Sequence, residues 1–150
     1  MRSIFQFLYQ NIFKQVAFLL DPEFVHDRVV FFGKLLSKFS LTRKLSRKLF
    51  YFQHESLSQD ILGIHFPNPI GLSAGFDKNA ELLDILPEVG FGFAEVGSIT
   101  GEPCEGNPKQ RLWRLPKSKS LVVYYGLKND GAESIAARVK NQNFRIPVGI

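Results

Sequence analysis

The sequence predicts an α/β chain in which a helical segment, residues 1–54, precedes parallel β/α units over residues 55–150. Three observations carry this. Ten of the fifteen Phe fall within the first 52 residues, in runs with a period near 3.6. The charge is uneven: nine Lys/Arg stand against three Asp/Glu up to residue 54, and the remainder is close to neutral. After residue 60 short apolar runs bounded by Gly and Pro alternate with helical patterns, the signature of a parallel sheet.

In the first helix Gln6, Gln10 and Lys14 recur every four residues, with Asn11 and Gln15 beside them, and form one polar stripe. Phe5, Leu8, Tyr9, Ile12, Phe13 and Val16 fill the opposite face. Asp21-Pro22-Glu23 reads as an N-cap, a proline at the first helical position and an acid in the first turn. The helix it opens carries Phe24, Val29, Phe31, Phe32, Leu35 and Leu36. A third helix spaces Leu41, Leu45 and Leu49 four apart, with Arg43, Lys44, Arg47 and Lys48 between them. Such helices suit a bilayer surface, offering apolar area to acyl chains and cations to anionic lipid. The same pattern also describes a helical hairpin folded on its own domain with solvated cations.

ILGIHF reads as a short β run ended by Pro67-Asn68-Pro69, and IGLSAG as a buried strand. Residues 79–89 read as a helix with Leu82, Leu83, Ile85 and Leu86 inward and Gly90 closing it. FGFAEVGSIT is a second buried strand, and RLWRLP with SLVVYYG forms a hairpin. Asp130 and Glu133 resemble a capping box opening a helix through Lys140. IPVGI opens a third strand, and a chain that stops on a strand is expected to be the front part of a longer protein or a truncated gene product. The loops SAGFDKN and GSIT follow strands, where α/β sheets and barrels carry their sites. SAGFDKN fits neither G-x-G-x-x-G nor a P-loop.

No apolar run is long enough to span a bilayer, since Ile4 to Leu20 is interrupted by five polar residues. The same residues argue against a signal peptide. One cysteine, Cys104, excludes an internal disulfide and a cysteine metal cluster, and the acidic loop around it favours an inert thiol. The basic run is short and lacks a nucleic-acid motif, so nucleic acid is not an expected partner, and no metal site is expected.

LDPEFVH (20–26), NPIGLSAGFDKNAE (68–81) and GFGFAEVGSITGEPCEGNPKQRLWRLP (90–116) together resemble the class 2, quinone-dependent dihydroorotate dehydrogenases. The resemblance implies a helical domain followed by the first two to three units of an FMN-binding (β/α)8 barrel. Carried over by position, it places Ala74, Gly75, Phe76, Asp77 and Lys78 along FMN, with Lys78 also touching substrate, and Ser98 hydrogen-bonded to the flavin. It places His26 and Arg114 beside a quinone tunnel. The implied reaction oxidises dihydroorotate to orotate in pyrimidine biosynthesis and passes electrons to a quinone. The implied location is peripheral, at the cytoplasmic side of a membrane surface. The family's serine base and FMN-phosphate loops lie in later segments, so no residue of this chain is expected to be the catalytic base.

The pattern breaks at the substrate segment. Where the family reads Asn-Arg-Tyr/Met-Gly-Phe, this chain has Val123, Tyr124, Tyr125, Gly126 and Leu127, followed by Lys128 and Asn129. Loss of the asparagine removes a hydrogen-bonding partner of a polar substrate. Either Lys128 compensates and dihydroorotate remains the substrate, or the barrel serves a related small molecule. A catalytically inactive membrane-surface fragment is the remaining alternative.

Overall fold

The computed structural model describes residues 2–150. The front segment is helical from Arg2 to Phe50 apart from breaks at residues 20–21 and 39. Helix α1 (Arg2–Leu8) runs through a π-helical stretch at Tyr9–Phe13 into α2 (Lys14–Leu19), and α3 (Pro22–Lys38) and α4 (Ser40–Phe50) follow. Helix α3 starts as its sequence dictates. The Asp21 carboxylate accepts from the Phe24 N–H at 2.9 Å, and Pro22 occupies the first turn, where no N–H is needed.

The front segment packs on the α/β part through α3 and α4. Val30 of α3 joins the core. Gly33 lets α3 approach closely, because a Cβ there would stand 2.6 Å from Leu82 Cδ2. Arg47 of α4 reaches Glu88 at 3.4 Å and stacks on the Tyr51 ring. Most of the apolar residues assigned to the first helix face solvent: Phe5, Tyr9, Ile12, Phe13 and Val16 are all exposed, as are Leu41 and Leu45 of α4. No helix among the described residues is long and apolar enough to cross a membrane.

The ILGIHF run forms a β hairpin, β1 (Gln59–Ile61) with β2 (Ile64–Phe66), around a Leu62-Gly63 turn with both φ positive. The central sheet has three strands: β3 (Gly71–Leu72), β4 (Phe93–Glu95) and a strand at Val148–Gly149. Both pairings are parallel, with β4 in the middle. Between β4 and the last strand, β5 (Leu112–Leu115) and β6 (Ser120–Val123) make the expected antiparallel hairpin, and α5 (Ala132–Val139) leads to β7, the strand at Val148–Gly149.

Three local readings are corrected. IGLSAG pairs only at Gly71–Leu72; Ile70 and Ser73–Gly75 are exposed and turn away from the sheet. Residues 79–89 do not form an α-helix but a series of turns ending in a 3-10 segment at Leu86–Val89. Ala80 has φ +54°, which no right-handed helix accommodates, and Pro87 brings no N–H to the ladder. The inward residues are nonetheless those read from the pattern. Leu82, Leu83, Ile85 and Leu86 are buried with Ala94, Val96, Ile135 and Ile146, each large side chain contributing about 1.5–3 kcal/mol. Asp130 does not cap α5. Gly131 is the N-cap, and the Asp130 carboxylate accepts instead from Arg138 at 2.9 Å.

Candidate functional site

The site is built where β3 and β4 end. The two loops are fastened to each other by backbone alone: Gly75 N–H donates to Gly97 O at 2.9 Å and Gly97 N–H to Asp77 O at 3.2 Å. Asp77 is 1% exposed. Its two oxygens accept from the Glu81 and Leu82 N–H groups, each at 2.8 Å, so the carboxylate organises the turn that replaces a helix start. Burial raises its pKa above the usual aspartate value, against those hydrogen bonds. Asp77→Ala is expected to lower folding stability by about 1–3 kcal/mol by orphaning the buried Leu82 N–H and the half-buried Glu81 N–H. Urea unfolding would measure it, and an unchanged midpoint would count against this role.

Lys78 follows directly. Its Nζ donates to Gly75 O at 2.7 Å and lies 4.1 Å from the centroid of the Tyr125 ring. Burial, and then the nearby Lys128 charge, hold its pKa below the ordinary lysine value. Tyr125 is buried, and its hydroxyl has no hydrogen-bond partner among the described residues. Burial pushes that phenol's pKa well up.

A cleft of about 230 Å³ opens here, lined by Ala74, Gly75, Lys78, Gly97, Ser98 and residues 123 and 125–128. Both segments singled out from the sequence therefore meet on one concavity. Phe76, Asp77 and Tyr124 are not on its wall. Phe76 packs against the core, Asp77 caps its turn, and Tyr124 is exposed. A second cleft, about 290 Å³, lies between α3, residues 76–81 and residues 125, 128 and 130, so Lys78, Tyr125 and Lys128 border both clefts. His26 borders it; its Nε2 is 2.7 Å from Phe76 O, and its ring meets the Phe76 ring edge-on. Arg114 is elsewhere, its Nη1 donating to Leu20 O at 2.7 Å and its guanidinium over the Phe18 ring. His26 and Arg114 thus each tie the helical segment to the α/β part, but they share no cavity. A third cleft, about 470 Å³ and mostly apolar, lies between α1 and α4 and is lined by Phe5, Gln6, Tyr9, Phe13, Leu49 and Phe50.

One arrangement had no signal in the sequence. Glu23 of α3, 3% exposed, accepts from Arg111 Nε at 3.1 Å and Nη2 at 2.7 Å across 88 residues of chain. Arg111 also donates to Glu105 O and Asn107 O and covers the Tyr125 ring. Asn129 is likewise structural, its side chain bonding Thr100, Leu127 and Gly131.

Residues 56–150 match the family model for dihydroorotate dehydrogenase. The chain belongs to the dihydroorotate dehydrogenase family. The quinone-type dihydroorotate dehydrogenase of Methylococcus capsulatus is 37% identical over 143 residues, covering 95% of this chain and 41% of that protein. That of Mycobacteroides abscessus is 40% identical over 142 residues, covering 95% and 40%. Among solved structures, ligand-free DHODH from Eimeria tenella superposes with a TM-score of 0.68 at 34% identity, covering 87% of this chain and 37% of that one. The same enzyme in complex with ferulenol gives 0.67 at 35% identity, covering 86% and 35%. The chain spans about two fifths of the length of the curated relatives it matches. The three parallel strands are therefore part of a dihydroorotate dehydrogenase barrel, with the helical segment ahead of them in the chain.

Proposed function

We propose that this chain supplies the flavin-facing opening of an FMN-dependent enzyme that oxidises dihydroorotate to orotate for pyrimidine biosynthesis and delivers the electrons to a quinone. The observation that carries the reading is the cleft at the ends of β3 and β4, where Lys78 is held between a carbonyl and an aromatic face.

The residues present fit FMN. Gly75, with φ +94°, leaves open space where a Cβ would stand, so a flat ring can approach the backbone at Ala74 and Gly75. Ser98 offers a hydroxyl from the opposite loop, and Lys78 supplies the positive charge. When bound, FMN supplies a two-electron acceptor. The chain's own contribution is electrostatic and positional. Gly75 O and the Tyr125 ring fix the Lys78 ammonium before any ligand arrives, so little reorganisation is needed as negative charge develops beside it. No residue here is assigned as the base that removes the substrate proton.

Residues 1–54 form the membrane-facing domain in this reading, and residues 55–150 the barrel opening. The exposed Phe-rich face of α1 and α2 supports peripheral attachment, from which a quinone reaches the barrel without crossing water, and the reading sets that attachment at the cytoplasmic side. His26 and Arg114 stand on the quinone side, at the seam between the two parts. A second reading, a related small molecule as substrate, is favoured by Val123, an apolar side chain 60% exposed where a polar partner belongs.

The test uses the protein expressed from its intact reading frame in detergent. We expect a stoichiometric flavin absorbance band that bleaches with dihydroorotate and recovers with a soluble quinone. A flavin band that dihydroorotate leaves unchanged would move the reading to another substrate. Protein without flavin would overturn it.

A further inference from the structure

We propose that Lys128 is a specificity-determining residue that, with Lys78, clamps the carboxylate of a flat ring across the cleft between the β3 and β4 ends and residues 123–128. The inference rests on the proposed function and deepens it, because it states what the site reads in its substrate: the acid group rather than the ring's amide pattern.

The lining of the cleft is the first argument. Its charged side chains are Lys78 and Lys128, and its uncharged polar ones are Ser98 and Tyr125; the rest is glycine or apolar. On that wall the two cations meet no carboxylate or carboxamide, the acids Asp27, Asp77, Glu81 and Asp130 lying in the adjoining cleft that both lysines also border, so an anion suits this side. Val123 and Leu127, both exposed, add apolar surface that suits a ring face and offer no donor or acceptor from their side chains.

The second argument is that neither ammonium is fully engaged within the protein. Lys78 donates to a carbonyl and faces a ring, and it makes no ion pair among the described residues. Lys128 Nζ is 3.6 Å from Glu23 Oε1, too far for a hydrogen bond. Glu23 already accepts two hydrogen bonds from Arg111, and Lys109 Nζ stands at 3.7 Å on the same oxygen. One carboxylate therefore faces three cations, which leaves Lys128 with charge to share with the cleft. The like charges of Lys128 and Lys78 also weaken each other, since Lys128 contributes to the lowered pKa of Lys78. A ligand carboxylate placed between them would relieve that repulsion.

The test compares orotate, uracil and nicotinate by isothermal titration against the flavin-loaded protein, for the wild type, Lys128→Gln and Lys128→Arg. Orotate and uracil share the amide pattern but differ in the carboxylate; nicotinate carries a carboxylate on a ring without that pattern. We expect the wild type to bind both acids more tightly than uracil. Lys128→Gln should lose on the order of tenfold to a hundredfold in affinity for the acids and leave uracil unchanged. Lys128→Arg should restore most of that loss, and thermal midpoints should show that all three proteins fold. Equal orotate-to-uracil ratios in the wild type and Lys128→Gln would overturn the clamp, as would a wild type that binds neither acid. Nicotinate binding that depends on Lys128, without orotate binding, would sustain the clamp and remove dihydroorotate as the substrate. Failure of dihydroorotate to bleach the flavin, measured separately, would strike the proposed function alone.

Discussion

Glu23→Ala is expected to lower folding stability by about 3–5 kcal/mol, the range seen when one partner of a buried ion pair is removed. The cost comes from what remains. Arg111 is also buried, and its Nε and Nη2 would lose their acceptor while the charge stayed fixed by Glu105 O and Asn107 O. Replacing both partners by apolar residues, Glu23→Leu with Arg111→Met, should cost less than Glu23→Ala alone, because no buried charge is left behind. Urea unfolding of the three proteins checks this, and a double variant as unstable as the single one would refute it. Acid provides a second check. The Arg111 hydrogen bonds, more than its charge and those of Lys109 and Lys128, hold the Glu23 pKa below the usual value of 4.5 against its burial. A depressed carboxylate pKa gives stability that is fully present above 4.5 and is lost as pH falls through the lower folded value. The wild type should therefore lose stability below pH 4.5 more steeply than Glu23→Ala does.

That pair also shows where the sequence runs out. Local chemistry was legible: Asp21-Pro22 starts α3 through its own side chain and ring, and the two strands around residues 116–119 close into a hairpin. Apolar period was legible as well, since Leu82, Leu83, Ile85 and Leu86 are buried even though no helix carries them. The conformation was not legible, because the Asp77 carboxylate reaches forward to two N–H groups and Ala80 takes a positive φ. A helical spacing of leucines records which side chains go inward, and successive tight turns can satisfy the same demand. The residues that line the cleft at the ends of β3 and β4 were singled out through motif, not through physics. Gly75, Lys78 and Ser98 have no periodic or capping signature that would join residue 75 to residue 98. The Glu23–Arg111 pair, separated by 88 residues, had neither motif nor pattern, and Glu23 alone read as an ordinary first-turn acid. Tyr125 was read only as part of a segment; its place under both Lys78 and Arg111 emerges from packing.

Lys78→Met should separate folding from function. Under the proposed function, it is expected to slow dihydroorotate-dependent flavin reduction on the order of 10²–10³-fold, the loss typical of removing one preorganised electrostatic group from a reacting centre. Folding should survive, because the methionine stem can still lie on the Tyr125 ring and no carboxylate is left unpaired. The pH dependence supplies a finer reading. Burial, then Lys128, lowers the Lys78 pKa, so the ammonium is lost at a pH below the ordinary 10.5. Between that lowered value and 10.5 the unfolded chain binds more protons, so the contribution of Lys78 to stability rises with pH while the positive charge in the cleft disappears. Flavin reduction should therefore fall on the alkaline side before 10.5, in a range where the fold has lost nothing through this group. Removing the second ammonium, in Lys128→Gln, should shift that fall to higher pH, since one of the causes that depress Lys78 is gone. Stopped-flow reduction across the alkaline range, beside thermal midpoints at the same pH values, measures both effects. An alkaline limb that stays in place when Lys128 is neutralised would show that the two lysines do not share one cleft in solution.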